Sequence, residues 1–407
     1  MTRTKRRVVN AVAALTAAAV AVIALNGVAP SPAEAAQAPA QPSPAGDPFY
    51  LPPDPLPQGS PGDVIRWRPS VAALNALNAN AWQVMYLSTN ALGERVAVTG
   101  TVMTPRFGAA KAVVGYAVGT QGPAFKCTPS KTIERGTLYD QPAINDNISA
   151  GFAVAVTDYE GYAPGAANRP TYMVGQSMGN AVIDSVRAAQ RLPAAQLKAD
   201  AKVVFQGYSQ GGGGSLWAAE KQPAYAPELN LVGAAAGGVP ADLTEVAKGL
   251  DGYLGFGFLA FAALGLDSAY PELGLDSYLN DTGRKELGAA KDNACVLELL
   301  ANYPFKKISD YTTSNPLDDP KWQARLAENK LGQNPPRVPV FQYHAAFDEI
   351  VNTPQGDALH KSYCASGVKV QWNTYVAEHL SGIFAGNADA STWIKNRVEG
   401  KAAPSNC

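Results

Sequence analysis

The tightest constraint on this chain is a rhythm. Five short apolar runs, at 112–118, 152–156, 203–205, 229–235 and 338–343, show no polar–apolar alternation. A strand with one wet face alternates with period two, whereas a strand covered by helices on both faces does not. Helical patterns separate the runs. Residues 171–192 gather Val182, Ile183, Val186 and Ala189 on one face, and 215–220 follows the third run. Strand–helix alternation of this kind predicts a mainly parallel sheet. Ahead of it, 81–89 and 94–103 are rich in β-branched and aromatic residues with Gly93 between them, which predicts an antiparallel pair.

The rhythm breaks between Pro240 and Pro336, where no strand pattern occurs. A stretch of about 95 residues is too long for a loop in a compact domain. Its helical patterns predict a cap, residues 241–336, inserted between two parts of one core, 63–240 and 337–407. Within it, 253–266 (YLGFGFLAFAALGL) is very apolar. That run reads equally as the lining of an acyl channel or as plain cap core.

The N-terminus predicts export. Arg3, Lys5, Arg6 and Arg7 precede an Ala/Val-rich stretch, and Ala33-Glu34-Ala35 is a small-residue cleavage pattern. Residues 1–35 therefore read as a signal peptide, cleaved near Ala35, of a secreted protein. Residues 36–62 read as a proline-rich linker and N-terminal segment, in which Phe49 and Tyr50 are available to pack on the core. Loss of the leader leaves 29 basic against 33 acidic residues. No basic surplus remains to neutralise phosphates, so nucleic acid is not an expected partner. Cys127, Cys295, Cys364 and Cys407 are an even set behind a leader, which predicts two disulfides among three connectivities. No His/Cys cluster has zinc spacing, so neither metal nor cofactor is expected.

Two G-x-S-x-G segments compete for the chemistry, Gly175-Gln176-Ser177-Met178-Gly179 and Gly207-Tyr208-Ser209-Gln210-Gly211. A nucleophile elbow needs a strand before the serine and a helix after it. The second segment follows the strand pattern 201–206 and opens a helix at 211–220; the first follows a Pro/Gly-rich loop. Ser209 is the candidate nucleophile and Ser177 a decoy. This strand–serine–helix arrangement in a parallel sheet predicts the α/β-hydrolase fold.

A serine needs a positioned base, and this fold orders its triad Ser, acid, His. His344 precedes any suitable acid, and His360 falls in a helix pattern that reads as surface. His379 follows the strand pattern 368–375 in a short loop, where the base belongs. The acid is expected beyond the preceding strand at Asp348, ahead of its neighbour Glu349; Asp357 and Glu378 read as solvated. One oxyanion donor is the backbone N–H of Gln210. The second is expected from the loop after 112–118, at Gln121, with Thr120 next; an ordinary turn is the alternative there.

Taken together, Asp158-Tyr159-Glu160-Gly161, Gly207-Tyr208-Ser209, 225–230 with Val232-Gly233, Asp348-Glu349-Ile350-Val351 and Ala377-Glu378-His379-Leu380 resemble the secretory lipase family. The resemblance runs from Asp47 to Cys407. It implies an α/β-hydrolase core with a helical cap, a Ser209–Asp348–His379 triad, lipid esters as substrates and transient contact with a lipid interface. It also implies disulfides Cys127–Cys295, tying core to cap, and Cys364–Cys407. Gln121 stands where the family places an oxyanion-hole aspartate; a glutamine keeps the backbone donor and removes a titratable group. The family's yeast lipase carries a flap segment beyond its last cysteine, and this sequence ends at Cys407, so the resemblance carries esterase chemistry further than interfacial behaviour. An acyltransferase with the same triad, a peptidase on the same fold and a non-enzymatic envelope-binding protein remain as alternatives.

Overall fold

A computed structural model describes residues 46–75 and 77–407. The expected leader, 1–35, and the first part of the proline-rich segment lie outside the described residues. Nine strands form one sheet: β1 (Val64–Pro69), β2 (Ala79–Thr89), β3 (Arg95–Pro105), β4 (Val113–Ala117), β5 (Ala153–Thr157), β6 (Val203–Tyr208), β7 (Leu231–Gly237), β8 (Val340–Ala345) and β9 (Val370–Tyr375). Their spatial order is β1-β2-β3-β5-β4-β6-β7-β8-β9. The first four in that order pair antiparallel and the rest pair parallel.

Each alternation-free run became a strand with little or no wet face, and every residue of β4, β5, β6 and β8 is buried. The predicted pair is β2 and β3, registered from Ala79↔Pro105 to Thr89↔Arg95. Asn90 sets its turn by accepting the N–H groups of Leu92 (2.9 Å) and Glu94 (2.8 Å) on its side chain. The strand β1 had no sequence signal. Its residues are all half-buried, it carries Arg66 and Arg68, and it ends on a proline, as an edge strand can.

Among the described residues, twelve α-helices accompany the sheet: α1 (Pro129–Arg135), α2 (Gln141–Ser149), α3 (Gly175–Arg191), α4 (Gln210–Tyr225), α5 (Leu243–Leu250), α6 (Phe256–Ala269), α7 (Asp281–Asn293), α8 (Val296–Asn302), α9 (Ile308–Tyr311), α10 (Pro320–Glu328), α11 (Thr353–Ala365) and α12 (His379–Val398). Helices α5 to α10 fill the whole connection from β7 to β8, where the only β-pairing among the described residues is an isolated bridge, Leu279↔Thr312. This is the inserted helical cap. A disulfide between Cys127 and Cys295 ties it to the loop after β4; a second joins Cys364 to Cys407.

Two further packing features bear on the site. Phe49 and Tyr50 form a small buried cluster with Phe125, two residues from Cys127. The sheet order also jumps at β4, which lies between β5 and β6 although β5 follows it in sequence. Connections leave β4 in one direction and return in the other, which opens a crevice beyond the carboxyl ends of β4 and β6.

Candidate active site

Ser209 sits in that crevice, at the end of β6 and ahead of α4. Its backbone has φ 59° and ψ −122°, a strained combination for a residue with a side chain. Two hydrogen bonds hold it: Ser209 N donates to Gly237 O (2.9 Å), and Ser209 O accepts from Gly213 N (3.0 Å). The flanking glycines are required by contact. A Cβ on Gly207 would lie 2.4 Å from Ala117 O, and one on Gly211 would lie 2.0 Å from the same oxygen. Only bare backbone lets β6 and α4 pass this close to β4.

His379 is the first residue of α12, and Glu378 caps that helix through Leu380 N (2.8 Å) and Ser381 N (2.7 Å). Tyr208 OH donates to His379 O at 2.7 Å. The ring is thereby held with Nε2 2.9 Å from Ser209 Oγ and Nδ1 2.8 Å from each Asp348 oxygen. Asp348 lies in the loop after β8 and accepts Ile350 N (3.1 Å) and Val351 N (2.7 Å) on Oδ1. Glu349 points elsewhere and accepts the backbone N–H of His379 at 3.0 Å. Burial pushes the Asp348 carboxyl up, but hydrogen bonds from His344 and His379 and their nearby charge outweigh it and hold the group well below the usual carboxylate range. It is therefore an ionised acceptor at neutral pH.

Gln210 opens α4, so its N–H has no carbonyl to meet within the helix. Gln121 is buried; its side chain donates to Gly119 O (3.2 Å) and its carbonyl accepts Val296 N (2.8 Å) from the cap. Thr120, Ser209, Gln210 and His379 line one cavity, whereas Gln121 is absent from its walls. Behind this loop, Asp140 is fully buried and accepts Gly119 N (3.3 Å) and Tyr116 OH (3.2 Å). Burial raises its pKa to about 7, against those stabilising bonds.

The cavity has a volume of about 320 Å³. Helix α6 supplies Phe256, Phe258, Leu259, Ala262, Ala263 and Leu266 to its walls, so the apolar run does line a channel above Ser209. Among the described residues, no Asp, Glu, Lys or Arg lines it. Tyr172 stacks on Phe261 of α6 at 4.0 Å between ring centres, closing core against cap.

The sequence model of the secretory lipase family matches residues 128–406. The chain belongs to the secretory lipase family. This secretory lipase is 31% identical to Lipase 5 of Candida albicans over 89% of its own length and 83% of that protein. It is 28% identical to a secreted triacylglycerol lipase of Malassezia furfur, covering 89% and 77% of the two chains. The structure of Candida antarctica lipase A in its closed state superposes with a TM-score of 0.82 at 28% identity, covering 90% of this chain and 89% of that one. The fold is that of an α/β-hydrolase, and the enzyme is a carboxylic ester hydrolase of the lipase type. No helix among the described residues is long and apolar enough to cross a membrane.

The structure thus brings Ser209, His379 and Asp348 into one hydrogen-bonded row. It leaves Ser177 apart, on Glu160 and Thr171. His360 is not a surface residue: it is half-buried and stacks on Trp372 at 5.3 Å. Sequence reasoning passed over two groups, His344 and Asp140. Asp140 acts across space on the loop after β4, and His344, although only four residues before Asp348, was read only as a possible base.

Proposed function

We propose that this secretory lipase cleaves lipid esters by two acyl transfers through Ser209. Ser209 Oγ attacks the ester carbonyl carbon while His379 Nε2 takes its proton, and Asp348 stabilises the imidazolium. The N–H of Gln210 and a second N–H from the loop that carries Gln121 and its cavity-lining neighbour Thr120 receive the oxyanion, and loss of one such donor costs about 100- to 1,000-fold in rate. The tetrahedral intermediate collapses, the C–O bond to the alcohol breaks, and His379 returns its proton to the departing oxygen. Water then attacks the acyl-enzyme with His379 as base, releasing the acid and restoring Ser209.

One observation carries this reading: the hydroxyl–imidazole–carboxylate row opens onto a channel that no Asp, Glu, Lys or Arg lines among the described residues. An apolar channel of this size favours an acyl chain over a peptide or a sugar. Leu297, Leu380 and Phe384 line the channel and are exposed, and Phe347 and Val376, close in sequence to Asp348 and His379, are exposed too. This apolar rim supports transient contact with a lipid surface. The family, the paired cysteines and the leader support secretion after cleavage near Ala35, with residues 241–336 acting as the cap.

A fluorophosphonate probe tests the nucleophile directly. It is expected to add one phosphonyl group to the peptide carrying Ser209, in step with loss of p-nitrophenyl ester hydrolysis. Modification on the Ser177 peptide, or inactivation without modification of Ser209, overturns the reading.

A further inference from the structure

His344 was set aside as a base because it precedes the acid in sequence, yet it meets that acid in space. It lies near the end of β8, four residues before Asp348, and both side chains are fully buried. Its Nε2 stands 2.7 Å from Val351 O and 3.3 Å from Asp348 Oδ2. The Val351 carbonyl can only accept, so the ring carries its hydrogen on Nε2 and gives it to that carbonyl, with the Asp348 carboxylate beside it at 3.3 Å. Nδ1 has no hydrogen-bond partner among the described residues, and it faces Gly356, where an added Cβ would come within 2.9 Å of it. Trp372 stacks over the ring at 6.0 Å between centres. The tautomer and the tilt of His344 are therefore fixed from three sides.

The two carboxylate oxygens are supplied unequally. Oδ1 takes two backbone N–H groups and a share of His379. Among the described residues, Oδ2 meets only the two imidazoles, His379 Nδ1 at 2.8 Å and His344 Nε2 at 3.3 Å. Water cannot replace a lost donor on a side chain with no exposure, so Oδ2 depends on His344 for all but the His379 contact. His344 also grips Val351 by its carbonyl while Asp348 grips it by its N–H, which closes the acid loop on itself.

We propose that His344 is a positioning residue of the ester-hydrolysing site, a fixed N–H donor that orients Asp348 and moderates its basicity toward His379. The proposal rests on the reading of Ser209, His379 and Asp348 as the reacting row. Asp348 is the charged group His344 touches; on the far side of Trp372, His360 stacks without reaching it. Without the His344 donor, Asp348 becomes a stronger acceptor, holds the His379 proton more tightly and is free to turn.

The test compares His344→Phe, which keeps a flat ring without a donor, with His344→Gln, whose amide restores an N–H near Nε2. For His344→Phe, kcat on a short soluble ester is expected to fall about 10- to 100-fold, as when other ring-orienting partners are lost, with KM little changed. The rising limb of its kcat/KM–pH profile is expected to move up by about half a pH unit or more. His344→Gln is expected to recover most of both. An unmoved limb in His344→Phe, or a glutamine no better than phenylalanine, overturns the proposal. If His344→Phe does not fold, His344→Leu makes the same comparison. Ser209→Ala run in parallel separates the two levels: activity surviving in it defeats the triad reading, whereas its loss beside an unmoved limb defeats only the role of His344.

Discussion

Two stretches of this chain carry the same five-residue pattern, and they are built for different ends. At 207–211 the glycines let a strand turn into a helix beside β4, with Ser209 forced to φ 59° at the apex. At 175–179 the pattern is the first turn of α3. A Cβ on Gly175 would fall 2.0 Å from the Trp217 ring, and one on Gly179 would fall 2.9 Å from the Trp217 backbone. Those glycines exist so that α3 can lie against α4. Ser177 there has ordinary helical surroundings and bonds Glu160 and Thr171, while Ser209 meets an imidazole. Small residues two positions either side of a serine thus signal close packing. Whether the packing exposes the hydroxyl to a base depends on what precedes it.

The sharpest way to break this contrast is to remove each hydroxyl. Ser209→Ala is expected to cost about a million-fold in kcat, the scale seen when a triad serine is lost. Ser177→Ala is expected to leave kcat within about twofold, since surface-distant changes away from the reacting atoms act mainly on stability. Steady-state hydrolysis of p-nitrophenyl butyrate by both variants decides it, and comparable losses in the two would end the distinction.

The glycines give the next largest effect. Gly211→Ala and Gly175→Ala both force a Cβ to within 2.0 Å of a neighbour, and each is expected to destabilise the fold by about 1–3 kcal/mol. They separate in activity per folded molecule. Gly211→Ala must push α4 from β4 and carry Ser209 and Gln210 with it, so kcat is expected to fall at least about tenfold, because misplacement of roughly 1 Å is costly near reacting atoms. Gly175→Ala shifts the Trp217 ring and is expected to leave kcat near wild type. Active-site titration alongside thermal melts measures both quantities.

This contrast also marks what the sequence made readable. Buried parallel strands have a signature because both faces are dry, so β4 to β8 were legible from their unbroken apolar runs. The elbow was legible because it needs a strand, a serine and a helix in immediate succession. Edge strand β1 was not, because a half-wet strand with two arginines looks like a loop. Gln121 was placed by its loop, yet Thr120 is the residue that faces the cavity. Asp140 and Asp184 were invisible, and Asp158 stood out only within a family motif, with no role attached. Each is buried and answered by hydroxyls or N–H groups from distant segments, such as Thr99 and Ser130 for Asp158 and Ser88 and Tyr225 for Asp184. A buried carboxyl leaves no periodic trace.

The smallest effect separates the two serine regions by the acids behind them. Burial raises the Glu160 carboxyl beside Ser177, although Ser177 and Thr171 donate to it. Asp348 behind His379 is lowered despite its burial, because His344 and His379 donate to it. The signs of their linkage to folding are opposite. Folded Glu160 holds its proton more tightly than the unfolded chain does, so the wild type loses stability from this group as pH rises past about 4.5, the unperturbed range. Glu160→Gln has no proton to lose, and its melting temperature relative to wild type is expected to rise between pH 4 and pH 8, by about 2 °C or more. Asp348 stabilises the fold above about pH 4 and stops doing so as acid protonates it. Asp348→Asn is therefore expected to melt below wild type at pH 6, with the gap closing toward pH 3. Parallel gaps for the two variants, or gaps that do not vary with pH, would mean that the acids behind the two serines do not differ in the way their partners imply.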